Sequence, residues 1–287
     1  MKPLFIDGMR GLGDNIFQRA FVKTLTKSWD VYLATPWPEL YEDLPVEFVY
    51  QPTILRTQAK NIKRQQRQWH DKPKAPTLQP HYRSTELAQG LFKSMERKCG
   101  VEPSPMDLPA FTNIIEAPKP ICVVRPATLR KEWFAGSRNP DPAYIARAVE
   151  RIRDDFYVVS VADLKENEET ALHPLPCADL TLHGGELDVR ALLGLIQAAS
   201  LVIGGVGWIV PACIAAQTPL FCILGGNGGA NAPERITDSR MNLEKIGFAK
   251  PDSFCYCANM RHQCDKRISN FDQQFEAYLD RISTILH

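Results

Sequence analysis

Short apolar runs alternate with amphipathic stretches along the chain. Pro3–Ile6, Asp30–Ala34 and Val46–Tyr50 read as strands, and a helix-period stretch runs from Asn15 to Lys27 between the first two. A second series follows: strand Ile121–Val124, helix Pro142–Arg153, strand Phe156–Val161, helix Asp188–Ala199, strand Leu201–Ile203, helix Trp208–Ala216 and strand Leu220–Leu224. Strands alternating with helices predict parallel sheets, with ligand crevices outside the carboxyl ends of the strands. Between the two series, Pro103, Pro105, Pro109, Pro118 and Pro120 break regular structure, so Val101–Pro120 reads as a connection. The prediction is two α/β units, residues 1–118 and 119–287. Phe271, Phe275, Tyr278, Leu279, Ile282 and Leu286 mark a last helix, available to pack back on the first unit.

A chain of 287 residues with 44% apolar positions can bury two cores. Thirty-four basic against 33 acidic residues leave a net charge of +1, which excludes a surface coated with positive charge for bulk nucleic-acid binding. The opening MKPLFIDGMRG lacks a signal-peptide apolar run, and no segment reaches the roughly 18 uninterrupted apolar residues of a membrane helix. A cytoplasmic protein is expected, with its oligomeric state left open. Of the eight cysteines, Cys99, Cys122, Cys177, Cys213 and Cys222 lie scattered and read as reduced core thiols.

The stretch Gly8-Met-Arg-Gly11-Leu-Gly13-Asp14 approaches a phosphate loop and departs from it. Gly8 and Gly13 have Walker spacing, but Asp14-Asn15 stands where Lys-Ser/Thr must reach the phosphates, and a carboxylate there repels a triphosphate. A dinucleotide fingerprint begun at Gly11 meets Ile16 at its third glycine, and the second strand ends in Ala34-Thr35 with no acid for a ribose. Asp14 is then a helix N-cap, an acid facing the crevice, or both. Gly11 and Gly13 would let an acceptor approach the backbone closely.

Three further segments join this one: Lys131-Glu132-Trp133, the span Leu180–Gly226, and the tail FCYCANMRHQCDKRI. Together they resemble the family 9 glycosyltransferases, the ADP-heptose:lipopolysaccharide heptosyltransferases and their relatives. Gly11-x-Gly13-Asp14 is similar to the family's Gly-x-Gly-Asp opening and Lys131-x-Trp133 to its Lys-x-Trp. The resemblance implies a GT-B fold, two Rossmann-like domains facing across a cleft, with the acceptor on residues 1–118 and the nucleotide sugar on 119–287. It implies an inverting transfer of a sugar from a nucleotide-diphosphate donor to a hydroxyl. Asp14 would be the general base and Lys131, helped by Arg125 or Arg130, would neutralise the departing diphosphate. GT-B enzymes as a class use helix ends and basic side chains for that, so no metal and no cofactor beyond the donor is expected.

The turn Gly204-Gly205-Val206-Gly207 would offer backbone N–H groups to a phosphate. It departs from the family's Asp-Ser/Thr-Gly followed by His, since Val210 stands where the His would be. Gly226, Asn227 and Glu234 in the next glycine cluster, and His183 before the Asp188 helix, are further donor candidates. Arg56, Lys60, Lys63, Arg64 and Arg67 recur at helical spacing and form either a solvated face or a stripe that steers an anionic acceptor. Lipopolysaccharide core fits that stripe; so does nucleic acid, with Trp69 and His70 stacking on a base, and small relatives of the family resemble proteins of tailed phages, for which a hydroxymethylated DNA base is a conceivable acceptor. The rival readings are a nucleotide-sugar epimerase on the same fold and a non-catalytic binding relative. Cys255-x-Cys257 with His262 and Cys264 lacks paired Cys-x₂₋₄-Cys spacing, so reduced thiols or a local disulfide stand ahead of structural zinc.

Overall fold

The computed structural model describes residues 1–286 and, within them, every side chain but those of Ser84, Thr85 and Leu286, so Leu286 of the predicted helix face lies outside the described side chains. The first part comprises β1 (Lys2–Asp7), α1 (Leu12–Leu25), β2 (Trp29–Ala34), β3 (Val46–Val49), α2 (Arg56–Arg64), β4 (Thr77–Leu78) and α3 (Leu91–Cys99). Its sheet has the order β3-β2-β1-β4, with parallel pairing throughout. The second part comprises β5 (Ile121–Arg125), β6 (Thr128–Arg130), α4 (Pro142–Ile152), β7 (Tyr157–Val161), β8 (Glu169–Ala171), β9 (Leu180–Leu182), α5 (Val189–Ala198), β10 (Leu201–Gly205), α6 (Ile209–Ala216), β11 (Leu220–Ile223), α7 (Gly228–Asn231), α8 (Pro233–Ile236), β12 (Ile246–Ala249) and α9 (Phe271–Leu286). Six of its strands form a second parallel sheet, β12-β11-β10-β5-β7-β9, and β6 pairs antiparallel with β8. No regular element is described within the proline-rich residues 101–120.

The strands of the second sheet read as continuous apolar runs because helices cover both faces. Against one face α9 lays Phe271, Phe275 and Tyr278 around Phe221, with ring centroids 6.0, 4.8 and 5.1 Å away. Tyr278 also donates from its hydroxyl to the Lys245 carbonyl at 3.0 Å. The expectation that this helix packs back on the first unit is therefore corrected: its apolar face is used up on the second sheet and α4. Cys99, Cys122, Cys213 and Cys222 are buried thiols as expected, but Cys177 is exposed. None of the described helices is long and apolar enough to cross a membrane.

The other face of the second sheet is shared. One contiguous buried cluster includes Ile6, Phe17 and Phe21 from the first part and Val123, Leu193 and Val210 from the second. Within it α1 and α6 meet at their amino-terminal ends: a Cβ on Gly13 would lie 3.1 Å from the Trp208 Cα and 3.3 Å from the Pro211 side chain. Since α1 follows β1 and α6 follows β10, this contact brings the carboxyl ends of both sheets together.

Replacing Phe221 by Ala empties the centre of the α9 cluster. Such truncations cost about 3–5 kcal/mol, and a urea titration should show that loss; a loss below about 1 kcal/mol would mean that α9 does not rest there.

Candidate active site

α1 starts at Leu12, three residues earlier than its periodicity indicates, with Gly11 as N-cap (φ −68°, ψ 145°) and no side-chain cap. Asp14 is thus not the cap but a first-turn residue whose carboxylate is free for other work. One of its oxygens occupies the space that a Gly11 side chain would take, 2.5 Å from the Cβ position. The other accepts a 2.7 Å hydrogen bond from the Tyr82 hydroxyl. Tyr82 arrives there because β4 pairs with β1 and because the neighbouring His81 ring is hydrogen-bonded to the Gly8 carbonyl at 3.0 Å.

Surrounding protein raises the Asp14 carboxyl above its ordinary value, and the Tyr82 hydrogen bond and the charges of Arg138 and His81 offset only part of this. Asp14 nonetheless keeps some solvent-accessible surface. Burial and the adjacent carboxylate hold the Tyr82 hydroxyl well above its usual value, so it remains a proton donor to Asp14.

Across from the acid stand two arginines without partners. Burial brings Arg125 down to about 10, and the positive charge of Arg138 adds to that shift. Arg138 is lowered by burial and then by Arg130, against the pull of Asp14 and Tyr82. Neither Arg125 nor Arg138 makes an ion pair or side-chain hydrogen bond among the described residues, and the Arg138 Nε is buried with no acceptor. Arg130, by contrast, is bound to Glu169 at 2.7 Å. Arg125 reaches toward Gly207 at the start of α6, its Nη1 being 3.7 Å from where a Cβ would sit. Two repelling guanidinium groups beside a helix amino terminus form a site that an anion would neutralise.

The other predicted residues fall in different places. Gly204 packs against Ile209 and the Arg125 carbonyl and Gly205 against Pro140, which leaves Gly207 as the open point of the turn. Val206 is buried. Lys131 is exposed, and its backbone N–H donates to the Glu168 carbonyl. His183 faces Ser160, Nε2 to Oγ 2.8 Å, at the carboxyl end of β7, and burial lowers its basicity. Gly226 packs on Cys264, Asn227 donates to the Met260 sulfur and Glu234 accepts from Tyr256, so these three line the cysteine tail.

The basic stripe does form a helix, α2, but most of its charges are engaged. Arg56 pairs with Asp163 at 3.0 Å and Glu169 at 2.9 Å, and Lys60 reaches Asp163 and the Gly185 carbonyl. Arg64 donates to the Gly185 and Leu187 carbonyls, while Arg67 pairs with Glu42 over the Phe48 ring. Lys63 alone of the five makes neither an ion pair nor a side-chain hydrogen bond among the described residues. The stripe is a clamp between the two parts. His70 pairs with Glu47 at 2.7 Å and Trp69 meets Tyr50 edge-on.

Sequence reasoning missed Tyr82 and Arg138. Arg138 had a local signal: it precedes Asn139-Pro140-Asp141-Pro142, whose turn chemistry fixes the entry to α4, with Asp141 accepting from Ala143 N–H at 2.9 Å. Tyr82 had none, because only the two-residue strand β4 brings it to Asp14.

The cysteine tail also closes into a site. Cys255, Cys257, His262 and Cys264 present ligand atoms that all lie within 4.8 Å of one another. The Cys257–Cys264 sulfurs are 3.6 Å apart, and His262 Nδ1 is 3.3 Å from Cys264 and 3.6 Å from Cys255. A tetrahedral ion with metal–sulfur bonds of about 2.3 Å needs ligand separations of about 3.7 Å, so the cluster fits one thiolate-rich cation.

Two parallel sheets whose carboxyl ends converge, joined by an irregular connection, define the GT-B fold of glycosyltransferases. The solved structures agree. The iron-containing dodecameric glycosyltransferase TibC from enterotoxigenic E. coli H10407 superposes on 100% of this chain and 77% of its own with a TM-score of 0.68 at 14% identity. E. coli ADP-heptose lipopolysaccharide heptosyltransferase II matches over 100% of both chains (TM-score 0.60, 12% identity). A family 9 glycosyltransferase from Veillonella parvula matches over 98% and 97% (TM-score 0.61, 10% identity). These identities establish a shared fold. No protein-family model and no curated protein sequence matches the chain. The expectation of no metal and no cofactor is corrected: TibC contains iron, and this chain gathers four suitable ligands.

The raised Asp14 carboxyl has a consequence for stability. Its unfolded value is 3.8 and its folded value higher, so the folded chain binds the proton more readily and loses stability as pH rises through that interval. Asp14→Asn should melt above the wild type at pH 7, and the difference should shrink as pH falls toward 4; a difference independent of pH would remove the shift.

Proposed function

We propose that the protein is a glycosyltransferase that moves a sugar from a nucleoside-diphosphate donor to an acceptor hydroxyl in one inverting displacement. The observation that carries this reading is the placement of the Asp14 carboxylate near the unpaired Arg138, itself next to the unpaired Arg125, on a fold shared with heptosyltransferases. In this reading residues 119–287 hold the donor and residues 1–118 the acceptor.

Arg125, Arg138 and the amino terminus of α6 at Gly207 receive the diphosphate. Their mutual repulsion is relieved when it binds, and relieved further as negative charge develops on the leaving phosphate. Asp14 takes the proton of the incoming hydroxyl. An upward-shifted carboxyl suits that role, since a base works best when its pKa approaches the operating pH. Tyr82 holds one carboxylate oxygen and leaves the other toward the acceptor. Water is the competing nucleophile, and the shared core under α1 and α6 limits its access. Cys255, Cys257, His262 and Cys264 would hold a metal ion; the thiolate-rich set suits iron or zinc, and such a site supplies a structural crosslink.

The engaged state of Arg56, Lys60, Arg64 and Arg67 argues against a phosphate-tracking surface on α2, so a glycan-type acceptor is favoured over nucleic acid. ADP-heptose heads the donors to try, as the nucleotide sugar of the enzymes that share the fold.

Incubation with ADP-, UDP- and GDP-sugars should reveal one donor that is bound and slowly hydrolysed, and transfer onto a matching glycan should follow. Asp14→Asn should lower turnover by about 10²- to 10⁴-fold with donor affinity kept. Unchanged turnover would refute the role of Asp14, and the absence of binding to every donor would refute the proposal.

A further inference from the structure

The segment that carries the four ligands, residues 254–264, has no regular secondary structure, yet it is wedged between the glycine cluster after β11 and the turn that presents Arg138. On one side lies the glycine cluster. The Gly228 and Gly229 N–H groups donate to the Cys255 and Cys257 carbonyls at 2.8 and 3.1 Å, and Gly226 is pressed so closely on Cys264 that a Cβ would overlap its sulfur. On the other side lies the turn that presents Arg138. Ser137 N–H donates to the Met260 carbonyl at 3.0 Å, Lys266 donates to the Gly136 carbonyl at 2.9 Å, and Arg261 stacks 4.7 Å over the Phe134 ring. Met260 sits midway between Cys257 and Cys264, and its sulfur is held by Asn227. The residue before Arg138 is therefore tied to the middle of the ligand loop.

Arg138 has no other anchor. Its guanidinium makes no hydrogen bond or ion pair among the described residues, so its place rests on packing and on the backbone of residues 135–139 that carries it. That backbone is fixed by its own turn, by the Asn139 amide donating to the Thr128 carbonyl at 2.7 Å, and by the contacts to the ligand loop. An eleven-residue irregular loop keeps such a contact more firmly when its conformational freedom is suppressed, and a four-ligand ion does so.

We propose that a single cation bound by Cys255, Cys257, His262 and Cys264 acts as a clip that fixes the Ser137–Arg138 turn through Met260, so that the Arg125–Arg138 anion site is formed only when the loop is loaded. The four ligands are positioning residues: they touch neither donor nor acceptor. The inference rests on the reading of the arginine pair as the diphosphate site, and the test separates the two.

The protein as purified is assayed for metal by mass spectrometry and visible absorption, which tells a coloured ferric thiolate site from a colourless zinc one. ADP affinity is then measured by calorimetry for the loaded wild type, Arg138→Ala, Cys264→Ser and the double variant, and amide exchange is followed in the wild type and Cys264→Ser. The clip predicts about one cation per chain, a tenfold or greater loss of ADP affinity in Cys264→Ser, and less than a twofold additional loss when Arg138→Ala is combined with it. Exchange should rise at residues 134–139 and 255–264 while α9 stays protected, which shows that the fold has survived. If Arg138→Ala weakens ADP binding but Cys264→Ser leaves it within twofold, the clip is wrong and the anion site stands. If Arg138→Ala changes nothing, the anion reading itself fails and the clip with it. Additive losses, exchange rising equally in α9, or a chain purified without any cation would each overturn the clip.

Discussion

The close approach of α1 to α6 governs this molecule. Gly13 gives α1 a surface with no side chain at the point where Trp208 and Pro211 press against it. Any larger residue at 13 would push the first turn of α1 away, and with it the Asp14 carboxylate. Both helices follow the central strands of their sheets, so this one packing contact determines how far the acid lies from the arginines on the other side. The ion pairs of Arg56 and Lys60 with Asp163 and Glu169 reinforce the arrangement at a second point.

Charge is distributed around that contact unevenly. Elsewhere the buried and half-buried arginines find acceptors: Arg19, fully buried, binds Asp43 at 2.6 Å, Asp107 at 3.0 Å and the Leu40 carbonyl, and Arg235, whose Nε is also unpaired, donates to the Leu87 carbonyl at 2.8 Å. Arg125 and Arg138 break this rule. Proteins keep unpaired charge in a desolvated place where a ligand supplies the counter-charge, because otherwise the desolvation cost has no return. The turn before α6 carries no polar side chain at Gly205, and Val210 is buried. Pro140 fills the space beside Gly205, and in the proposed reading the arginines would supply the positive charge on which a diphosphate depends.

Much of the fold was legible because strands and helices of a doubly wound sheet have strong periodicities. β1, β2, β3, β5, β7, β10 and β11 and the helices α1, α4, α5 and α6 lie within a few residues of their expected bounds. β4, β9 and β12 were not legible: each has four residues or fewer and pairs only through a partner already in place. α3 shows its Gly90 and left-handed Gly100 brackets, but its polar composition hides the face of Leu91, Phe92 and Met95. At the candidate site, Asp14 could be read as the acid of Gly-x-Gly-Asp, and Arg125 only as a helper to Lys131. Tyr82, Arg138 and the role of α2 could not, since each depends on a contact between segments far apart in sequence. The cysteine tail was visible as a cluster, but its closure to ligand distances depends on the Gly226–Gly229 wall behind it.

A crystal structure of the protein with ADP tests the central claim most directly. The account predicts density for the diphosphate between Arg125 and Arg138, over Gly207, with the terminal phosphate facing the Asp14 carboxylate across room for a sugar. A diphosphate bound away from both arginines, or a nucleotide whose phosphates point away from Asp14, would contradict it.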